Sequence, residues 1–185
     1  CHASPPETGR TTDVRIVKGV INYFLQRAKC AIFVVESDTY TRTAEKVFKK
    51  LGYLELETNK VKIANLTKCP DTIEGWDHII SIAKLKTTLF EGISGTYKNL
   101  LGMIPQKEKR FLHPFLSEVL YNLNTKYHPD LCIIDGCYAL EGCGPVDGFP
   151  KPMKLLIFGK NCVTTDAVAC HVMGINPFDV PHLAY

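Results

Sequence analysis

The sequence predicts an α/β domain: a single three-layer unit over residues 1–185, with a mostly parallel sheet covered by helices. Three observations carry this. Several short runs are apolar throughout, as strands buried on both faces are. Longer stretches repeat apolar residues at three and four, as helices do, and alternate with those runs. Polar residues and glycines follow the apolar runs, as they do at the ligand-binding edge of open α/β folds.

Val14, Val17, Val20, Ile21, Phe24 and Leu25 recur at helical spacing over 14–25, and Thr12 or Asp13 can cap the first free N–H groups. Residues 31–35 form a buried strand. Ala44, Val47, Phe48 and Leu51 make a second helical face, with Gly52 as its C-terminal stop. Strands are expected over 61–66 and 79–83. Phe115, Leu116, Val119, Leu120 and Leu123 form a third helical face. Residues 131–134 and 153–158 are strands, and 163–173 are a helix that ends at Gly174 with Pro177 beyond. The stretch 135–152, rich in glycine and proline, reads as a long functional loop between two core strands.

Bulk properties narrow the function. Hydrophobic residues make up 45% of the chain and charged residues 22%, normal for a globular protein. A net charge of +3 is too mild to imply a nucleic-acid partner. No apolar stretch approaches the roughly 20 residues of a membrane span, so no membrane partner is expected. The chain begins at Cys1, and residues 1–10 hold no apolar run that reads as a signal peptide. A cytoplasmic location follows as the expectation. The eight cysteines show no CxxC spacing, so neither a disulfide framework nor an iron–sulfur cluster held by this chain alone is expected. Cys30, Cys132 and Cys170 sit in or beside apolar segments and are expected to be buried and inert.

Four strand ends carry the candidate chemistry. Glu36, Ser37 and Asp38 follow the first strand; Lys84, Lys86 and Thr87 follow 79–83; Asp135 and Gly136 follow 131–134; Gly159, Lys160 and Asn161 follow 153–158. In a parallel sheet all four would meet at one edge. Lys84, Lys86 and Thr87, then Gly95, Lys98 and Asn99, suit an anion: glycines admit backbone N–H groups and lysines add charge. A solvated basic loop is the competing reading, and the Walker order is absent. Asp135, Glu141 and Asp147 with Gly136 and Gly144 could hold a hard cation or move protons; the identity of any metal is open. Asp166, near the start of the last helix, and His113, after Lys107, Lys109 and Arg110, complete the acid–base candidates. Their ordinary alternatives are a favourable charge at a helix start and a residue preceding Pro114.

The same residues resemble the family called domain of unknown function 362. The resemblance rests on Thr11-Thr12, on Ile80 to Thr87 with Lys84 and Lys86, and on Gly95 to Pro105 with Lys98, Asn99 and Gly102. It continues through Lys109, His113-Pro114, Pro129 to Gly136, Glu141 to Val146, Asp166 to Ala169 and Met173-Gly174. It implies a prokaryotic α/β protein without a settled activity. Many similar members carry a ferredoxin-like iron–sulfur domain, which this sequence lacks, so an iron–sulfur protein is an implied partner. Family chains usually begin with Lys-Pro-Asn and run past the last helix, which leads us to expect a trimmed chain here. Where the family commonly has histidine after Lys-Leu-Lys-Thr, this chain has Thr88, leaving no histidine to carry over.

Two functional readings stay open, with a purely structural domain as a third. One is an enzyme on a small anionic substrate, redox-linked through the family's ferredoxin-bearing members. The other is a non-catalytic metabolite- or metal-binding module that partners an iron–sulfur protein. In both, a small anionic molecule binds at the carboxyl edge of the sheet.

Overall fold

The computed structural model describes residues 9–89, 91–107, 109–145 and 147–185. Helix α1 (Val14–Arg27) starts at Asp13, whose carboxylate accepts the Arg15 N–H at 2.8 Å. Strand β1 (Ile32–Glu36) leads to α2 (Ala44–Leu51), capped by the Thr43 hydroxyl and ended by Gly52 in the left-handed region. Strand β2 (Val61–Asn65) runs parallel to β1, with Ile32 opposite Val61 and Glu36 opposite Asn65. The two helices and two strands bury Val17, Ile21, Ala44, Phe48, Tyr53 and Val61 together.

The second half holds a larger sheet. Strand β3 (Ile80–Thr88) turns back through β4 (Gly92–Ser94) into the single turn α3 (Thr96–Asn99). Helix α4 (Leu116–Tyr127) precedes β5 (Leu131–Cys143), β6 (Asp147–Lys151) and β7 (Leu155–Gly159). Helices α5 (Cys162–Val172) and α6 (Pro181–Ala184) follow, and 3-10 turns fill several connections. Leu85, Leu120 and Leu140 are fully buried; burial of such a side chain contributes about 1.5–3 kcal/mol.

The fold is α/β, but its sheets are mixed rather than mostly parallel. β1 and β2 form their own parallel pair, separate from the five-stranded sheet ordered β4-β3-β5-β6 with β7 also on β5. Within the larger sheet only β3 and β5 run parallel; β4, β6 and β7 pair antiparallel. The expected single sheet therefore divides. The expected loop over 135–152 is largely strand: β5 runs on to Cys143, and β6 folds back on it with Glu141 opposite Phe149. Gly148 and Pro150 read as loop punctuation, yet β6 ends the strand order, and an outer strand tolerates proline because its outward N–H needs no partner.

Antiparallel β7 has a further consequence. Gly159 lies opposite Cys132, near the start of β5, so Gly159, Lys160 and Asn161 sit at the opposite end from Asp135. Asn161 instead caps α5 by accepting the Thr164 N–H. Lys84, Lys86 and Asp135 themselves lie within β3 and β5, which run on to Thr88 and Cys143, so of the four expected strand ends only that of β1, before Ser37 and Asp38, stands where it was expected.

Cys132 and Cys170 are buried as expected, and Cys162 joins them; Cys30 is only half-buried, because it precedes β1 rather than lying within it. Cys69 and Cys143 are exposed. Cys1 and His2 lie outside the described residues. Native thiol labelling followed by peptide mass mapping should modify Cys69 and Cys143 fast and Cys132, Cys162 and Cys170 slowly. Labelling of Cys132 as fast as Cys69 would contradict the packing.

Candidate functional site

The site grows from one ion pair. Lys84 and Asp135 are register partners on the adjacent parallel strands β3 and β5, so their side chains leave the sheet side by side. Lys84 Nζ donates to Asp135 Oδ2 at 2.8 Å, with the side chains 6% and 0% exposed. The same oxygen accepts the Asp13 N–H at 2.9 Å, and Oδ1 accepts the Cys137 N–H at 3.0 Å. Asp135 thus joins β3, β5 and the start of α1. Directly beyond the pair the register slips, from Lys84 opposite Asp135 to Lys86 opposite Leu140. Such a bulge re-aims the following side chains and is frequent beside functional sites.

Around this pair the ends of β1 and β2 bring more buried charge. Asp38 accepts the Ala44 N–H at 2.8 Å and Asn65 Nδ2 at 2.9 Å on one oxygen. Lys109 donates to the Ser37 hydroxyl, which donates to the Gly102 carbonyl at 2.7 Å. Arg42 reaches Glu36 at 3.9 Å, an ion pair beyond hydrogen-bond length. Tyr53 donates its hydroxyl to the Thr12 carbonyl at 3.0 Å, tying the 3-10 turn after α2 to the threonine pair.

Several buried cations here donate to neutral acceptors. Lys86, 5% exposed, donates to the Arg10 carbonyl at 3.0 Å, a neutral acceptor. Burial, with Arg42 nearby, pushes its ammonium down to about 8, although Glu36 opposes the shift. Lys98 donates to the Thr88 hydroxyl at 3.4 Å, and burial pushes it down to about 8 against the pull of Glu91. Lys109 is lowered to about 8 by burial, against the pull of Glu36.

The other candidates divide by place. Asp166 is fully buried and holds the start of α3: Oδ1 accepts the Thr96 N–H and hydroxyl, each at 2.7 Å, and Oδ2 the Tyr97 N–H at 2.9 Å. Burial raises its carboxyl to about 6 against those bonds. Gly95 is needed there, because a Cβ would fall 2.2–2.3 Å from the Asp166 carboxylate atoms. Asn99 donates to Ser81 Oγ at 3.1 Å. Thr87 donates to the Gly142 carbonyl at 2.8 Å, and a Cβ on Gly144 would lie 2.1 Å from the Thr87 carbonyl oxygen. Gly136 pairs with Leu155 inside the sheet. Glu141 is exposed and paired with Lys151 at 2.7 Å, and Asp147 is exposed on β6 opposite Cys143. His113 is exposed on a 3-10 turn, with Nδ1 3.1 Å from the Arg110 carbonyl.

The fold therefore brings Lys84, Lys86 and Asp135 together and places Lys98 within electrostatic reach of Lys86. Glu141 and His113 have their partners elsewhere. Arg42 escaped the sequence reading, because a single arginine after a strand announces neither burial nor missing partners. A threonine-rich run around it, Thr39-Tyr40-Thr41-Arg42-Thr43, was the available signal.

Removing one member of a buried ion pair strands the other charge, at a cost of about 3–5 kcal/mol. Asp135→Ala and Lys84→Ala should each destabilise by about that amount, while Lys84→Met with Asp135→Leu should cost clearly less than the two singles added. Urea denaturation of the four proteins checks this; additive losses would refute the coupling. Separately, Asp166→Asn should destabilise by about 1–3 kcal/mol, because an amide opposes one donor N–H with another; unchanged stability would refute the lock on α3.

No helix among the described residues is long and apolar enough to cross a membrane. No solved structure matches the chain. A thylakoid-associated protein of Synechocystis sp. is 30% identical over 115 residues, which is 58% of this chain and 36% of that protein, so the chain spans about a third of the relative it matches. The threonine pair, the two strand lysines and Asp135, all buried, fall inside a family match over residues 1–171, and the chain belongs to the family described as domain of unknown function DUF362.

Proposed function

We propose that the chain holds a small anionic molecule where the end of β1 faces Lys84 and Lys86 of β3 and Asp135 of β5. The observation that carries this is Lys86: a buried ammonium held by a carbonyl, beside Arg42 and Lys84, with the neighbouring Asp135 already committed to Lys84. Like charges gathered in low dielectric oppose folding, and a bound anion relieves them.

Binding is favoured over proton transfer by the carboxylates. Asp135, Asp38 and Asp166 each accept hydrogen bonds from donors within the fold, which leaves them poorly placed to take a proton from a substrate. A non-catalytic module delivering its ligand to a partner fits this better than an enzyme. An iron–sulfur partner and a cytoplasmic setting belong to the same proposal. The first rests on the family resemblance, and the second on the free thiols of the described cysteines.

Phosphate or sulfate should stabilise the protein, by about 2.7 kcal/mol at a hundredfold excess over the dissociation constant. Lys86→Met should abolish most of that gain. The pH dependence has two opposite signs. Anion affinity should fall as pH rises through 8, where folded Lys86 and Lys98 lose their protons. The unliganded fold should gain stability from these lysines between pH 8 and 10.5, because the unfolded chain still binds the protons that the folded one has released. Thermal melts across that range, for wild type and Lys86→Met, test both. An anion panel that leaves the melting temperature unmoved, or a variant that responds like wild type, would defeat the proposal.

A further inference from the structure

Beside this edge lies a cavity of about 390 Å³, walled by the 39–51 segment with Thr11 and Lys107. Its deepest cation is Arg42, whose side chain is 2% exposed. Among the described residues, Nε and both terminal nitrogens of Arg42 have no hydrogen-bond partner, and neither do the buried hydroxyls of Thr11 and Thr39. Native folds rarely leave buried donors unmet, since each costs about 1–3 kcal/mol, more when charged. Here several belong to residues that line one cavity.

The surroundings select the sign of a ligand. Lys46 and Lys50, one helical turn apart on α2, and Lys107 also line the cavity, and among the described residues no carboxylate does. The start of α2 adds little, since Asp38 already takes the Ala44 N–H and Thr43 the Lys46 N–H. The turn that carries Arg42 is held rigidly: Thr39 N–H donates to the Arg42 carbonyl at 2.9 Å, and Arg42 N–H to the Thr39 carbonyl at 3.3 Å. The donors are thus prearranged rather than gathered by the ligand, which lowers the cost of binding.

We propose, resting on the anion-binding reading above, that this cavity takes the phosphoryl group of a small phosphate ester on Arg42, Thr11 and Thr39, with Lys46, Lys50 and Lys107 around it. A planar guanidinium with two hydroxyls offers more donors than the two oxygens of a carboxylate can satisfy, and suits the three terminal oxygens of a phosphate monoester. The space exceeds that of the anion alone and falls within the range of sites for small organic ligands. Tyr40, Val47 and Leu51 supply an apolar wall for the organic part. Arg42 also links the cavity to the sheet edge, because its charge acts on Lys86 and Lys109.

Titration calorimetry of the whole chain with inorganic phosphate, glycerol phosphate and acetate, at equal ionic strength, tests this. The exposed lysines can be changed together, as Lys46→Gln, Lys50→Gln and Lys107→Gln, without disturbing the core; Arg42→Gln is the second variant. Glycerol phosphate should bind more tightly than inorganic phosphate, acetate should not compete, and either variant should weaken both phosphates at least tenfold. If phosphate binds and Lys86→Met abolishes it while the triple variant and Arg42→Gln bind like wild type, the sheet-edge reading stands and the cavity assignment falls. If glycerol phosphate binds no better than inorganic phosphate, the ester assignment is overturned. If wild type binds neither, both readings fall.

Discussion

The buried contact between Lys84 and Asp135 is the constraint on which the rest of this structure depends. It joins the two parallel central strands of the larger sheet and, through the Asp13 N–H, fixes where α1 begins. Desolvating two charges is costly, and an ion pair alone recovers that cost poorly. Here Asp135 also accepts two backbone N–H groups, so both of its oxygens are engaged. The register slip that follows is the structural price of placing Lys86 near the end of β1 rather than in line with the β5 ladder.

Past this pair, the buried charges are no longer joined in close ion pairs. Asp38 is spent on Asn65 and the start of α2, Lys109 is anchored by Ser37, and Arg42 stands off from Glu36. A fold selected for stability alone would place apolar side chains at Lys86 and Arg42, since buried charge rarely stabilises better than a packed hydrophobe. Buried near the end of β1, Lys86 and Arg42 are desolvated donors, the arrangement that supports the proposed anion site.

Local chemistry was legible in the sequence where it acts locally. The helical faces of α1, α2, α4 and α5, the cap at Asp13 and the stop at Gly52 follow from periodicity and from backbone needs that each segment meets by itself. The grouping of Lys84, Lys86 and Asp135 followed from strand order, because β3 and β5 are indeed parallel. Strand direction elsewhere was not legible. An apolar strand reads the same in either sense, and only the hidden β6 reverses the chain so that β7 runs against β5. Glycine and proline concealed β6, and with it the pairing that carries Glu141 away from the lysines. Arg42 and the hydroxyls of Thr11 and Thr39 acquire meaning only when residues distant in sequence close a cavity around them.

Buried donors held ready for an anion should respond when one is added. Nitrogen-detected NMR of the Arg42 guanidinium and the Lys86 ammonium, followed while inorganic phosphate is added, reports on those donors directly. Saturable shifts of the Arg42 side-chain resonances, with slowed exchange of its Nε proton and a coupled change at Lys86, are predicted. Resonances that stay in place throughout the titration would contradict the claim that these buried cations form an anion site.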